Sequence, residues 1–177
     1  MIRLFDIILS FLGLLILFPI IFLIFIICLL ENSSPIFIQT RIGFKKKLFT
    51  IFKFRTMKMN TKSIATHLVD ESKITFFGNY IRRTKLDEAP QLINVLIGNM
   101  SIVGPRPCLP NQKKLIFERK KRRVFEVKPG ITGLAQINGI DMKNPILLAK
   151  TDLKMIKKFG IKKYFYYIFK TLLLILN

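Results

Sequence analysis

Two carboxylates stand side by side at Asp87 and Glu88, just behind three cations, Arg82, Arg83 and Lys85. Further on, Arg106 lies between Pro105 and Pro107. Prolines on both sides restrict the backbone, so the guanidinium fork is aimed before a ligand arrives. A planar fork suits two phosphate oxygens. A carboxylate able to act as nucleophile, a second carboxylate, a helix start and a pre-aimed arginine form an inventory for phosphoryl transfer. That chemistry needs positioning and charge neutralisation above all. An isolated Asp-Glu pair is more often a helix cap, because capping acids are abundant.

The acids need an element to carry them. Pro90 is tolerated only in the first turn of a helix, which makes Asp87 the N-cap and Glu88 the first helical residue. The helix dipole and the nearby cations both favour an ionised Asp87. Leu92, Val95 and Leu96 supply an apolar stripe, Gly98-Asn99 a stop, and residues 100–103 a short strand. Upstream, residues 36–40 and 48–57 read as a hairpin turning at 41–43, with Lys53 and Arg55 on one face between Phe52 and Phe54. Residues 58–71 have the composition and length of a loop that could act as a lid. Downstream, residues 111–128 predict a helix whose basic run, 119–123, is a solvated face or a lipid-headgroup contact. Residues 128–139 form a glycine-spaced loop whose backbone N–H groups could cradle phosphate.

Composition sets the surroundings. The 177 residues are 51% hydrophobic yet carry a net charge of +20. That pairing suits a protein lying on an anionic membrane and handling anionic substrates; a nucleic-acid partner is the competing explanation. Residues 7–30 contain no charge and are long enough to cross a bilayer, but Pro19 breaks the middle. The plain reading is a kinked spanning helix. Lysines and aromatics mingle in residues 161–176, the composition of a helix lying in the headgroup region. Cys28 and Cys108 offer no metal spacing, and His67 stands alone.

The central stretch, TKLDEAPQLINVLIGNMSIVGPRP, resembles the signature of the bacterial sugar transferases of the monotopic phosphoglycosyl transferase type. PIFIQTRIG, IFKFRTM, KITFFGNYIRRT and KPGITGLAQING extend the likeness, which runs from about Arg3 to about Asp152. The chain departs from the family pattern at Phe18, where a serine usually precedes the proline. It departs again at Lys128, Leu134 and Ile140, where arginine, tryptophan and arginine are usual, and at Met155-Ile156, where an aromatic is.

The resemblance implies an α+β, mostly helical fold. Residues 1–31 would form a re-entrant membrane hairpin, sharply bent at Pro19, and 32–177 a membrane-associated catalytic domain ending in an interfacial helix at 161–176. The implied reaction moves a sugar-1-phosphate from a UDP-sugar to polyprenyl (undecaprenyl) phosphate at the cytoplasmic face of the inner membrane, starting assembly of a surface glycan. Asp87 would carry a covalent phosphosugar. Asp87 and Glu88 would hold Mg²⁺, Glu88 serving as ligand or activator. Substrate contacts would come from Lys53, Arg55, Arg82, Arg106, Lys128, Gln136, Asn138 and Asp152. Anionic lipids are expected partners, nucleic acid is not, and a homodimer stays open. The alternatives are an inactive family member and a membrane-tethered basic protein that binds anionic lipid or nucleic acid.

Overall fold

A computed structural model of the chain describes residues 1–59, 61 and 71–176. The lid expected at 58–71 and His67 fall almost wholly outside them. Among the described residues the architecture is mostly helical with two small sheets. Helix α1 runs from Ile2 to Asn32 as one element with Pro19 inside it. The two separate half-helices expected from the proline are therefore not seen as distinct elements. Losing one N–H removes a single rung, and the turns on either side carry the helix through.

Both ends of α1 rest on the rest of the chain. Asp6 and Ser10 are buried near its start, and Ile24, Cys28 and Asn32 near its end. Between them Leu15, Ile16 and Phe18 stand exposed. At the first end Arg3 donates to the carbonyls of Val95, at 2.5 Å, and Leu96, at 2.7 Å. Asp6 Oδ1 there accepts from Ser101 Oγ, the Ile102 amide and Tyr164 Oη. At the second end, Ile24 and Cys28 pack on Phe54 and Ile81.

Strands β1 (Ile36–Ile42) and β2 (Leu48–Phe54) pair antiparallel, with Ile36 opposite Phe54 and Ile42 opposite Leu48. The turn lies at 43–47 rather than 41–43, because Arg41 and Ile42 still pair with β2. Helix α2 (Phe76–Arg83) is capped by the Thr75 hydroxyl, which accepts from the Gly78 amide. A Cβ on Gly78 would sit 2.4 Å from the Thr56 carbonyl oxygen, so glycine lets this helix approach the end of β2 closely.

Helix α3 (Gln91–Leu96) leads through Gly98, at φ +91°, into β3 (Ser101–Val103). Helix α4 (Lys113–Lys121) then crosses to β4 (Gly130–Thr132), which pairs parallel with β3. Short α5 (Leu134–Ile137), α6 (Pro145–Lys157) and α7 (Ile161–Leu176) complete the chain. Val103, Met155, Tyr164 and Tyr167 form a core under α7, whose other face exposes Phe165, Tyr166, Phe169 and Leu172.

Candidate active site

Asp87 and Glu88 lie on a 3₁₀ turn, Leu86–Glu88, ahead of α3, entered through Lys85 in a left-handed conformation. Helix α3 starts after Pro90, so neither acid caps it. The expected N-cap role of Asp87 is thus corrected: with Pro90 taking the cap position, the acids are pushed out onto a separate turn facing β2.

Glu88 is buried, and its Oε1 accepts from Lys53 Nζ at 2.7 Å and from Arg106 Nη2 at 2.6 Å. Lys53 arrives from β2. The edge of that strand is fixed by Asn94 of α3, whose amide donates to the Thr50 carbonyl at 2.7 Å and accepts from the Phe52 amide at 3.1 Å. Asn94 is fully buried; a polar residue on the buried side of a short amphipathic helix was the available signal for it. Arg82 donates from Nε to Thr56 Oγ1 at 2.7 Å, its charge set in the field of Asp87.

The two acids titrate in opposite directions. Burial would raise Glu88, but Arg106 and Lys53 outweigh it and hold the carboxyl well below the usual carboxylate range. Asp87 is pushed up to about 6, first by burial and then by the Glu88 charge, with Lys53, Arg82 and Arg106 opposing. The expectation of a favoured anion at Asp87 is therefore reversed. Its neighbour takes the cations, and among the described residues Asp87 has no hydrogen bond or ion pair of its own.

Lys53, Arg82, Arg106 and the two acids are thus brought together. The other expected contacts lie elsewhere. Arg55 donates to the Ser34 carbonyl at 3.0 Å and sits over Phe37. Lys128 lies by Arg3 and Asp6 at a cavity of ≈ 320 Å³ that reaches Gly104 and Pro105. Asn138 donates to the Leu134 carbonyl at the surface, and Gln136 Nε2 to the Gly104 carbonyl. Asp152 is 1% exposed and bound to Arg119, not open to solvent. Arg119, expected on a solvated or lipid-facing run, is 2% exposed. It turns inward because α4 packs on α6, where Asp152 supplies its countercharge.

The glycine-spaced loop spends its first amides on structure. Gly130 donates to the Pro105 carbonyl, and a Cβ there would overlap the Gly104 amide nitrogen at 1.9 Å. Its glycines allow β3 and β4 to close on each other. Among the described residues no three His, Cys, Asp or Glu side chains gather as a metal cluster. Adjacent carboxylates such as Asp87 and Glu88 are hard oxygen donors, the ligand type that Mg²⁺ takes.

The sequence matches the bacterial sugar transferase family over residues 1–177. It is 50% identical over 111 residues to "Uncharacterized sugar transferase EpsL" of Bacillus subtilis, covering 62% of this chain and 54% of that one. It is 45% identical over 140 residues to the UDP-glucose:undecaprenyl-phosphate glucose-1-phosphate transferase of Escherichia coli, covering 76% of this chain and 30% of that one. It is 38% identical to the exopolysaccharide production protein PSS of Rhizobium leguminosarum bv. phaseoli, covering 78% of this chain and 74% of that one. The chain therefore spans from about a third to about three quarters of these relatives. It belongs to the bacterial sugar transferases.

Proposed function

We propose that this bacterial sugar transferase moves a sugar-1-phosphate from a UDP-sugar to undecaprenyl phosphate through a covalent intermediate on Asp87. The observation that carries the reading is the division of labour at one turn. Glu88 is locked by Lys53 and Arg106, while Asp87 beside it has no partner among the described residues and lies in a cationic field. An unpaired carboxylate near three cations is a nucleophile waiting for an anion.

In the first step an Asp87 oxygen attacks the sugar-bearing phosphorus. An Asp87 O–P bond forms, the bond to the UMP oxygen breaks, and UMP leaves with that electron pair. In the second step an oxygen of undecaprenyl phosphate attacks the same phosphorus, and the Asp87 carboxylate leaves. Arg106, Lys53 and Arg82 offset the developing charge, and the covalent step lets two bulky anions use one site in turn. Asp87 and Glu88 would hold Mg²⁺, which when bound would add neutralising charge beside the diphosphate. A neighbouring divalent charge would also lower Asp87 into its ionised form.

The packing of α1 supports one membrane arrangement. A helix crossing the bilayer upright would carry its two ends about 30 Å apart along the normal. Here Arg3 and Asp6 at one end, and Ile24 and Cys28 at the other, dock on one small domain. That supports a re-entrant helix, bending at Pro19 with its exposed middle in the hydrocarbon. The domain then lies at the headgroup plane of the cytoplasmic face, where the charged end of undecaprenyl phosphate sits. Labelling an Ile2→Cys variant in intact cells tests this: reagent reaching it from outside would show a spanning helix.

The reaction is tested by incubating membranes carrying the protein with a panel of radiolabelled UDP-sugars, UDP-glucose among them. Label in the lipid fraction is expected with at least one sugar and not with Asp87→Asn. Equal labelling by Asp87→Asn would refute the scheme.

A further inference from the structure

The segment 104–108 holds Arg106 in an unusual way. Pro105 and Pro107 have no N–H to give, so the segment is fixed chiefly through its carbonyls. All five are taken. Gly104 O accepts from Gln136 Nε2 at 3.2 Å, and Pro105 O from the Gly130 amide at 3.0 Å. Arg106 O accepts from Arg119 Nη1 at 2.8 Å, and Pro107 O from Arg41 Nη1 at 3.1 Å. Cys108 O accepts from the Ile42 amide at 2.9 Å.

Two of those donors are buried arginines, an expensive choice. Arg119 is 2% exposed and needs Asp152 beside it, at 2.8 Å, to be tolerated. An apolar pair of similar volume is often as stable or more so. Arg41 is 5% exposed, and among the described residues no carboxylate lies within 4.0 Å of it. Among the described residues its Nε has no partner, and burial with the nearby Arg106 charge lowers the Arg41 guanidinium to about 10. Fold stability alone does not account for two cations in such places. What they share is a grip on consecutive carbonyls at the base of the arginine that meets Glu88.

We propose that Arg119 and Arg41 are positioning residues that aim the Arg106 guanidinium at a diphosphate by holding the carbonyls of residues 106 and 107 from behind. Asp152 acts one step further back by keeping Arg119 charged and in place. The inference rests on the proposed transfer only for its donor assay, since diphosphate capture can be measured directly.

Two variants separate positioning from folding. Arg41→Met removes an unneutralised buried cation, so its Tm should not fall. Arg119→Met combined with Asp152→Leu removes both buried charges together and should also stay folded. Each should weaken inorganic pyrophosphate binding in calorimetry, and lower kcat/KM for the UDP-sugar, by about 10- to 100-fold, the range a misplaced binding group costs. In an Arg106→Ala background the same changes should cost less than about twofold, because the group being aimed is gone. Undiminished pyrophosphate binding in both variants, or an equal loss in the Arg106→Ala background, would overturn the proposal. A wild-type protein that binds pyrophosphate but transfers no sugar would refute the transfer reaction instead, leaving the pyrophosphate series to decide the clamp.

Discussion

Glu88 and Asp152 are both buried acids held by arginine, yet they belong to different kinds of place. Asp152 faces one cation, Arg119, and the pair is sealed, with side chains 1% and 2% exposed. Glu88 faces two, Lys53 and Arg106, the second of them 32% exposed, with an unpaired Asp87 next door. A balanced, closed pair can only support. An unbalanced, partly open one has charge left over for a substrate. What separates the two is how many counterions each acid has and whether water reaches them.

That contrast predicts which variant fails in which way. Asp87→Asn should show the largest activity effect, losing at least about a thousandfold in turnover, as removal of a covalent nucleophile does. Intact-protein mass spectrometry with donor alone should show the phosphosugar adduct on wild type and none on the variant. Stability should move the other way. Because burial and Glu88 raise Asp87 to about 6 in the fold, its ionised form costs stability above that pH and nothing below its ordinary value. Asp87→Asn should therefore melt at or above the wild-type temperature at pH 8, with the difference closing near about pH 4.

At the sealed pair the order reverses. Asp152→Ala leaves Arg119 buried without a countercharge and should cost about 3–5 kcal/mol of stability, read in chemical denaturation. Glu88→Gln keeps an acceptor for Lys53 and Arg106, so activity should fall much further than Tm. Equal thermal losses in the two variants would erase the distinction.

Smaller effects sharpen it. Arg106→Lys keeps the charge but not the fork, and kcat/KM should drop by roughly 10- to 100-fold, a loss of about 1.4–2.7 kcal/mol in transition-state stabilisation. In metal-free protein the Asp87 carboxyl should titrate near about 6, read by NMR of the labelled side chain. Glu88 adds no inflection near that pH, because its cations hold it well below the carboxylate range. A midpoint near the ordinary aspartate value would mean that cations pair with Asp87 as closely as with Glu88.

The elements were largely legible in the sequence, because they rest on local signals. The uncharged run gave α1, alternation around Lys53 gave the hairpin, and Gly98 gave the end of α3. The central acids and Arg106 stood out through their neighbours. What could not be read depended on partners far away along the chain. Arg119 looked like one of five surface cations until Asp152, 33 residues on, drew it inside. Arg41 looked like a turn residue, and nothing local marks its reach to Pro107. Asp6 stands just ahead of the uncharged run with no local mark of its role, yet it ties Ser101 and Tyr164 into the core. The state of Asp87 is hidden from the sequence for the same reason. Counting the cations near it says nothing about which acid they bind.

The Asp6 link has a consequence for how the protein is made. Its carboxylate waits for a tyrosine 158 residues downstream. At a synthesis rate of about 5–20 residues per second, that wait is roughly 8–30 s. Throughout it, the first helix is on or in the membrane with that acid not yet fully matched. Insertion and folding therefore cannot be successive, independent events for this chain: the anchor reaches its final seat only when the last helix arrives to close it.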